Sequence, residues 1–190
     1  MNVSLSPWST SDADALAAAV RESPDLAVQL GDRALGQAPV ALRYIERYLT
    51  DDDATVAFAI RVDGVAVGHA ALSHVERRHD SAWASYWVTA SRRGRGLASR
   101  SLATVAAHGF DDLGLFRLEL GHRVNNPASC RVASAAGFRA EGVERSKLRY
   151  GSDRYDVETH ARLSTDPAPR IALVPILMAA GAAWRSGDTP

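Results

Sequence analysis

The sequence contains little of what several common classes of protein need. Its single cysteine, Cys130, excludes an internal disulfide and leaves no thiolate pair for a zinc site. Lys and Arg together number 22, as do Asp and Glu, so no net basic charge would recruit nucleic acid or an acidic membrane. The apolar stretch 171–184 is interrupted by Pro175 and is shorter than the ~20 residues that a membrane-spanning helix needs.

These absences favour a cytoplasmic protein without a metal cofactor. Residues 1–8 lack the basic segment and the long apolar core of a signal peptide. A length of 190 residues is enough for one domain with a substantial core. We therefore expect no membrane segment, no direct binding of nucleic acid and a reducing compartment.

The most informative stretch is residues 88–106, which reads as strand, turn and helix. Gly94 and Gly96 would let the backbone approach a ligand closely, and the helix after them would aim unpaired N–H groups at it. Arg93 and Arg95 add positive charge, so the turn predicts a phosphorylated ligand. Neither a Walker A loop nor a dinucleotide-binding G-x-G-x-x-G motif is present.

A hairpin precedes this stretch and contributes two candidate proton acceptors. Asp63-Gly64 is a strong turn signal between two alternating runs. His69 and His74 lie in the second run, where either could accept a proton. A strand histidine with a structural partner or with water around it is the alternative interpretation.

A second strand and helix pair follows the long helix. Residues 116–120 alternate as a strand, and Glu119 projects from its polar face. Asn126 is predicted as the N-cap of the next helix, with Gly137 just beyond its end. Its inward stripe is expected to contain Ala128, Val132, Ala135 and Ala136, and residues 138–150 and 154–163 are expected to form a final hairpin.

Taken together and in order, these motifs resemble the RimJ/RimL-type branch of the GNAT N-acetyltransferases. The matching pieces are R-x-x-G-x-A at 93–98, R-L-E-L at 117–120, N-P-A-S at 126–129, A-G-F at 136–138 and E-G at 141–142. The resemblance implies an α/β (α+β) fold with a central mixed, mostly antiparallel twisted sheet of about seven strands flanked by helices. It covers about residues 1–163 and leaves a tail, 164–190, outside the match.

The resemblance also implies the roles of particular residues toward acetyl-CoA. The pyrophosphate would bind the turn formed by Arg93, Gly94, Arg95, Gly96, Leu97 and Ala98. The acetyl carbonyl and pantetheine would bind the strand near Trp87 and Val88. Asn126 would contact pantetheine and Ser129 would protonate the leaving thiolate, unless both only cap their helix. Glu119 would be the general base or would form an ion pair with Arg117.

The predicted function is direct transfer of the acetyl group of acetyl-CoA to a primary amine. The acceptor could be a protein N-terminus, including that of a ribosomal protein, or a small amine such as a polyamine. The alternative is a non-catalytic module that binds acyl-CoA as a sensor. The apolar part of the tail, 171–184, is expected to pack on its own domain or on a second subunit of a homodimer.

Overall fold

The computed structural model describes residues 1–178. It contains a seven-stranded sheet with helices on both faces, as the resemblance implies. The strands are β1 Val3–Pro7, β2 Val56–Val62, β3 Val65–Glu76, β4 Ser81–Val88, β5 Arg117–Arg123, β6 Arg139–Tyr150 and β7 Asp153–Leu163. The helices are α1 Ala13–Glu22, α2 Pro24–Gln29, α3 Ala38–Tyr48, α4 Leu97–Asp111 and α5 Pro127–Ala135.

The order of strands in the sheet is β1-β2-β3-β4-β5-β7-β6. Neighbouring strands are antiparallel except for β4 and β5, which are parallel. Parallel strands need a crossover connection, and α4 supplies it. The predicted Asp63-Gly64 turn joins β2 to β3, and both residues have the positive φ angles, 50° and 86°, that a tight hairpin turn requires.

Each face of the sheet has its own hydrophobic core. On one face, α4 and α5 cover large side chains such as Phe58, Leu72 and Leu118. On the other face, α1, α2 and α3 pack on small strand residues such as Ala57 and Ala59. Strand β2 supplies both cores because successive side chains of a strand point to opposite faces.

The chain beyond β7 returns across α4 and reaches the opposite edge of the sheet. The backbone N–H of Leu5 donates to Pro175 O at 2.9 Å, and Leu177 N–H donates to Leu5 O at 2.8 Å. Val174 is buried and its N–H donates to the Thr104 hydroxyl at 2.9 Å. Packing of the tail on its own domain is thus confirmed for 171–178, while 179–184 lie outside the described residues. No helix within residues 1–178 is both long and apolar enough to cross a bilayer.

Helix α5 has the predicted ends but a different buried face. Asn126 is its N-cap, and Gly137, with φ +87°, follows its end. The predicted inward stripe was partly wrong, because Ala128 and Ala135 are exposed while Ala133 and Ala136 are buried. Alanines occupy both faces of this helix, so their spacing could not define which face packs on the sheet.

Candidate active site

The parallel strands β4 and β5 separate after a short paired region. Their pairing begins at Ser81 with Arg117 and ends at Trp83 with Glu119. Beyond that point, β4 continues to pair with β3, and β5 continues to pair with β7. The carboxyl halves of the two strands therefore leave an opening at the centre of the sheet. Backbone groups that face this opening lack a strand partner and can bind an extended polar ligand.

The amino end of α4 lies directly after β4 and has no side-chain cap. Gly96 is the N-cap residue, and its carbonyl accepts the first helical hydrogen bond, from Arg100 N–H at 3.0 Å. Gly94 and Gly96 have φ angles of +73° and +72°, a conformation that L side chains rarely adopt. A Cβ atom at either glycine would meet no other heavy atom within 4 Å. The turn therefore presents free N–H groups of the first helical turn to open space, which suits a phosphate.

The side chain of Arg93 holds this turn in place. Its Nε donates to Val88 O at 2.9 Å, and its guanidinium lies 2.8 Å from the Asp25 carboxylate on α2. The Ala90 N–H donates to the Ser23 hydroxyl at 2.9 Å, which adds a second connection to the α1–α2 junction. Arg93, expected to supply free charge to a phosphate, instead has two protein partners, whereas the exposed side chain of Arg95 has none among the described residues.

The first turn of α5 lies on the other side of the opening. The Asn126 side-chain oxygen accepts from Ser129 N–H at 3.2 Å, so Asn126 caps the helix. The Ser129 hydroxyl takes no part in that cap, and among the described residues it makes no hydrogen bond. Tyr86 of β4 donates its hydroxyl to Ser129 O at 3.1 Å, and burial raises the pKa of Tyr86 to about 12. Tyr86 therefore joins β4 to α5 across the region where the sheet opens.

Glu119 lies in an ion pair on β5. Its carboxylate is 2.6 Å from Arg117 Nε, and the same guanidinium also pairs with Glu141 of β6. Hydrogen bonds to Glu141 and Glu119 raise the pKa of Arg117 further, so this side chain stays charged. Of the two interpretations offered by the sequence, the strand ion pair is the arrangement present in the structure.

A pocket of about 410 Å³ lies on the face of the sheet that α1, α2 and α3 cover. Aromatic, histidine and hydroxyl side chains dominate its wall, and none of its lining residues is Asp, Glu, Lys or Arg. The lining residues are Gln29, Leu30, Tyr44, Tyr48, Leu49, Thr55, Ala57, His69, Ala71, Ser73, His74, Ser85, Tyr86 and Trp87. Because Ser85, Tyr86 and Trp87 belong to the open half of β4, the pocket adjoins the opening between the strands.

The two histidines of this pocket differ in what they can do. His69 is buried beside Trp87, and burial lowers its pKa to about 4, so it is neutral at pH 7. The Trp8 indole N–H donates to His69 Nδ1 at 3.1 Å, which places the His69 proton on Nε2 and makes that atom a donor. His74 is exposed, and its Nδ1 lies 3.1 Å from the Ser73 hydroxyl. His74 is thus the histidine of this pocket that can accept a proton from a ligand.

The family of the chain follows from comparison with known proteins. A family described as an acetyltransferase (GNAT) domain matches residues 2–139, from β1 through α5. The chain belongs to the GNAT acetyltransferase family. Its sheet, with the parallel central pair and the glycine turn before α4, is the GNAT fold, and GNAT neighbours of this chain bind acetyl-CoA or CoA as cosubstrate.

Three relatives place the chain within this family. A probable N-acetyltransferase, YjcK, of Bacillus subtilis (strain 168) is 26% identical over 132 residues, which cover 69% of this chain and 73% of that one. The ribosomal-protein-serine acetyltransferase of Escherichia coli (strain K12) is 30% identical over 107 residues, 56% of this chain and 59% of that one. Mycobacterium smegmatis RimJ in complex with CoA-disulfide superposes with a TM-score of 0.70 at 26% identity, covering 84% and 80% of the two chains.

Proposed function

We propose that this GNAT protein is an N-acetyltransferase of the RimJ/RimL type, which transfers the acetyl group of acetyl-CoA directly to a primary amine. One observation carries the proposal: the opening between β4 and β5 connects an uncapped helix terminus suited to pyrophosphate with an uncharged pocket suited to an acceptor. An extended molecule with a phosphate group at one end and a reactive thioester at the other matches that arrangement.

In the proposed reaction, the pyrophosphate binds the N–H groups of the turn from Arg93 to Ala98. Pantetheine follows the open edge of β4, where backbone groups near Trp87 and Val88 bind the acetyl carbonyl. The neutral amine attacks the carbonyl carbon, and backbone N–H donors stabilise the resulting oxyanion. The C–S bond then breaks, the Ser129 hydroxyl donates its proton to the departing CoA thiolate, and the proton released by the amine restores that hydroxyl through solvent.

We also propose a proton acceptor for the attacking amine. The reaction releases one proton from nitrogen, and His74 is a titratable side chain of the pocket that can receive it. Glu119 is less suitable because its carboxylate is already paired with Arg117. Replacement of His74 by Ala should lower kcat by about 10²-fold or more at neutral pH, whereas His79→Ala, in an exposed loop, should leave it unchanged.

The pocket favours an acceptor without several positive charges. A polyamine presents two or more ammonium groups, and the wall of this pocket contains no carboxylate to neutralise them. Tyrosine and tryptophan faces instead suit an uncharged residue next to the reacting amine. We therefore propose a peptide N-terminus, or a small monoamine with an uncharged body, as the acceptor.

An acceptor screen tests this proposal. Peptides with free N-termini, small monoamines and spermidine are each incubated with acetyl-CoA and the full chain, and released CoA thiol is measured. We expect thiol release with a peptide or monoamine and little release with spermidine. Preference for spermidine would contradict the proposed acceptor, and tight acetyl-CoA binding without acetylation of any amine would favour the sensor alternative.

Two further expectations stay predictions. The chain is expected to work in the cytoplasm, and a homodimer is expected to be one of its assembly states. Light scattering of the full chain measures the second directly.

A further inference from the structure

Four side chains with metal-binding atoms meet beneath α5, on the face of the sheet opposite the pocket. His122 of β5 and His160 of β7 are 7% and 2% exposed, and their Nε2 atoms lie 3.0 Å apart. A carboxylate oxygen of Glu158 lies 3.1 Å from His160 Nε2 and 3.2 Å from His122 Nε2. With the Cys130 sulfur of α5, the four ligand atoms all lie within 4.8 Å of one another.

Hydrogen bonding alone does not satisfy this cluster. His122 Nδ1 lies 3.1 Å from Arg123 O, an acceptor that fixes the His122 proton on Nδ1 and leaves a lone pair on Nε2. A single Nε2 proton on His160 cannot serve both His122 Nε2 and the Glu158 oxygen fully. The lone pairs of His122 Nε2 and of a Glu158 carboxylate oxygen then face each other at 3.2 Å. A cation at the centre of the cluster would bind the Nε2 lone pairs of His122 and His160 and the Glu158 carboxylate oxygen at once.

The distances fit a tetrahedral cation. Zinc bonds of about 2.0–2.2 Å to nitrogen and oxygen place neighbouring ligand atoms about 3.3–3.5 Å apart in a tetrahedron. The three nitrogen and oxygen separations, 3.0–3.2 Å, need to widen only slightly. A sulfur at the fourth corner would lie about 3.6 Å from the others, so the Cys130 thiol, now within 4.8 Å, needs at most a small side-chain adjustment.

The chemistry of the four ligands selects the metal. Imidazole and thiolate ligands suit Zn²⁺, whereas Mg²⁺ and Ca²⁺ prefer oxygen ligands throughout. The hydrogen bond from His122 Nδ1 to Arg123 O is the outer contact that typically orients a zinc-bound histidine.

We propose that His122, Cys130, Glu158 and His160 form a zinc site that fastens α5 to β5 and β7. Four protein ligands close the coordination shell, so the metal acts on structure and takes no part in acetyl transfer. The Cys130 thiol loses its proton to solvent when zinc binds. Because Cys130 directly follows Ser129, the site would fix the first turn of α5 beside the opening in the sheet.

Cobalt titration tests this site directly. The full chain, without an affinity tag, is treated with chelator and titrated with Co²⁺, which gives a thiolate-to-metal charge-transfer absorption only when sulfur is a ligand. We expect the absorption to saturate at one equivalent and to disappear when Zn²⁺ is added. Cys130→Ser should abolish it and weaken Zn²⁺ binding by at least about 100-fold, whereas His79→Ala should match the wild type.

Measurement of Tm with and without zinc extends the test to variants that fold poorly. Zinc should raise the Tm of the wild type and of His79→Ala, and should not raise that of Glu158→Gln or Cys130→Ser. The proposal is overturned if the wild type shows neither the cobalt absorption nor a zinc-dependent Tm. Zinc affinity in Cys130→Ser equal to that of the wild type would overturn it as well.

Discussion

Replacement of Gly96 by Val should remove CoA binding while the protein stays folded. Gly96 has φ +72°, and the turn it forms presents the first N–H groups of α4 to the proposed pyrophosphate site. A β-branched residue strongly disfavours that backbone conformation. Valine should therefore turn the peptide groups away from the ligand and place its side chain in the space the phosphate would occupy.

The expected loss can be estimated from the bonds at stake. A hydrogen bond to a charged group contributes about 1.5–3 kcal/mol. Loss of two such bonds to the pyrophosphate amounts to about 3–6 kcal/mol, or about 10²- to 10⁴-fold in the dissociation constant for CoA. The strain of a non-glycine residue at positive φ, about 1–3 kcal/mol, is a separate cost that falls on stability.

Gly114 offers a matched control for that strain. It lies beyond the far end of α4 with φ +66°, and a Cβ atom there also meets nothing within 4 Å. The Gly114→Val variant should therefore lose about as much free energy of unfolding as Gly96→Val and should keep its CoA affinity. Calorimetric titration of CoA into both variants, with urea unfolding of each, separates the two effects. A folded Gly96→Val protein that binds CoA within about threefold of Gly114→Val would refute the proposed pyrophosphate site.

Three further predictions concern Ser129, His69 and the tail. Ser129→Ala should lower kcat by about 10²- to 10⁴-fold and leave CoA affinity nearly unchanged, because the Ser129 hydroxyl is outside the helix cap. A wild-type rate in a steady-state assay would show that Ser129 is not the proton donor. Burial lowers the pKa of His69 in the folded state to about 4, from about 6.5 in the unfolded state. As the pH falls, the unfolded state therefore gains a proton before the folded state does. The free energy of unfolding should fall by about 3 kcal/mol between pH 6.5 and pH 4. Urea unfolding should show a shallower pH dependence in His69→Gln, and an equal dependence would contradict this origin. Truncation after residue 170 should lower the Tm by several degrees, because it exposes Thr104 and the edge of β1. An unchanged Tm in differential scanning calorimetry would show that the tail does not stabilise the domain.

Local chemistry made the glycine turn before α4 and the start of α5 predictable. Gly94 and Gly96 require positive φ, so their presence before a helical pattern indicates an exposed helix terminus. Asn126 followed by Pro127 likewise defines the start of α5, as the structure confirms. Signals of this kind depend on neighbouring residues only, and therefore they can be read from the sequence.

Long-range contacts account for what the sequence did not predict. Arg93 was expected to face the ligand, but Asp25, 68 positions away, pairs with it. Thr104 of α4 is polar yet only 5% exposed, because the tail, 70 positions away at Val174, covers it. The histidine cluster was missed because a count of cysteines excludes only thiolate-rich zinc sites. A site of mixed ligands from three separate elements has no spacing signature.

The alternation of side chains along β4 lets one strand contribute to both halves of the proposed site. Trp87 points into the core beneath α1, α2 and α3 and lines the pocket, whereas Val88 points into the core beneath α4 and α5. Tyr86 reaches the carbonyl of Ser129 with its hydroxyl, while the backbone groups of this half of β4 that do not pair with β3 face the opening toward β5. A shift of β4 by one residue would exchange the two sets of side chains between the faces. The same backbone register therefore fixes the wall of the pocket, the support of α5 and the edge proposed to bind pantetheine, so these three parts of β4 can only move together.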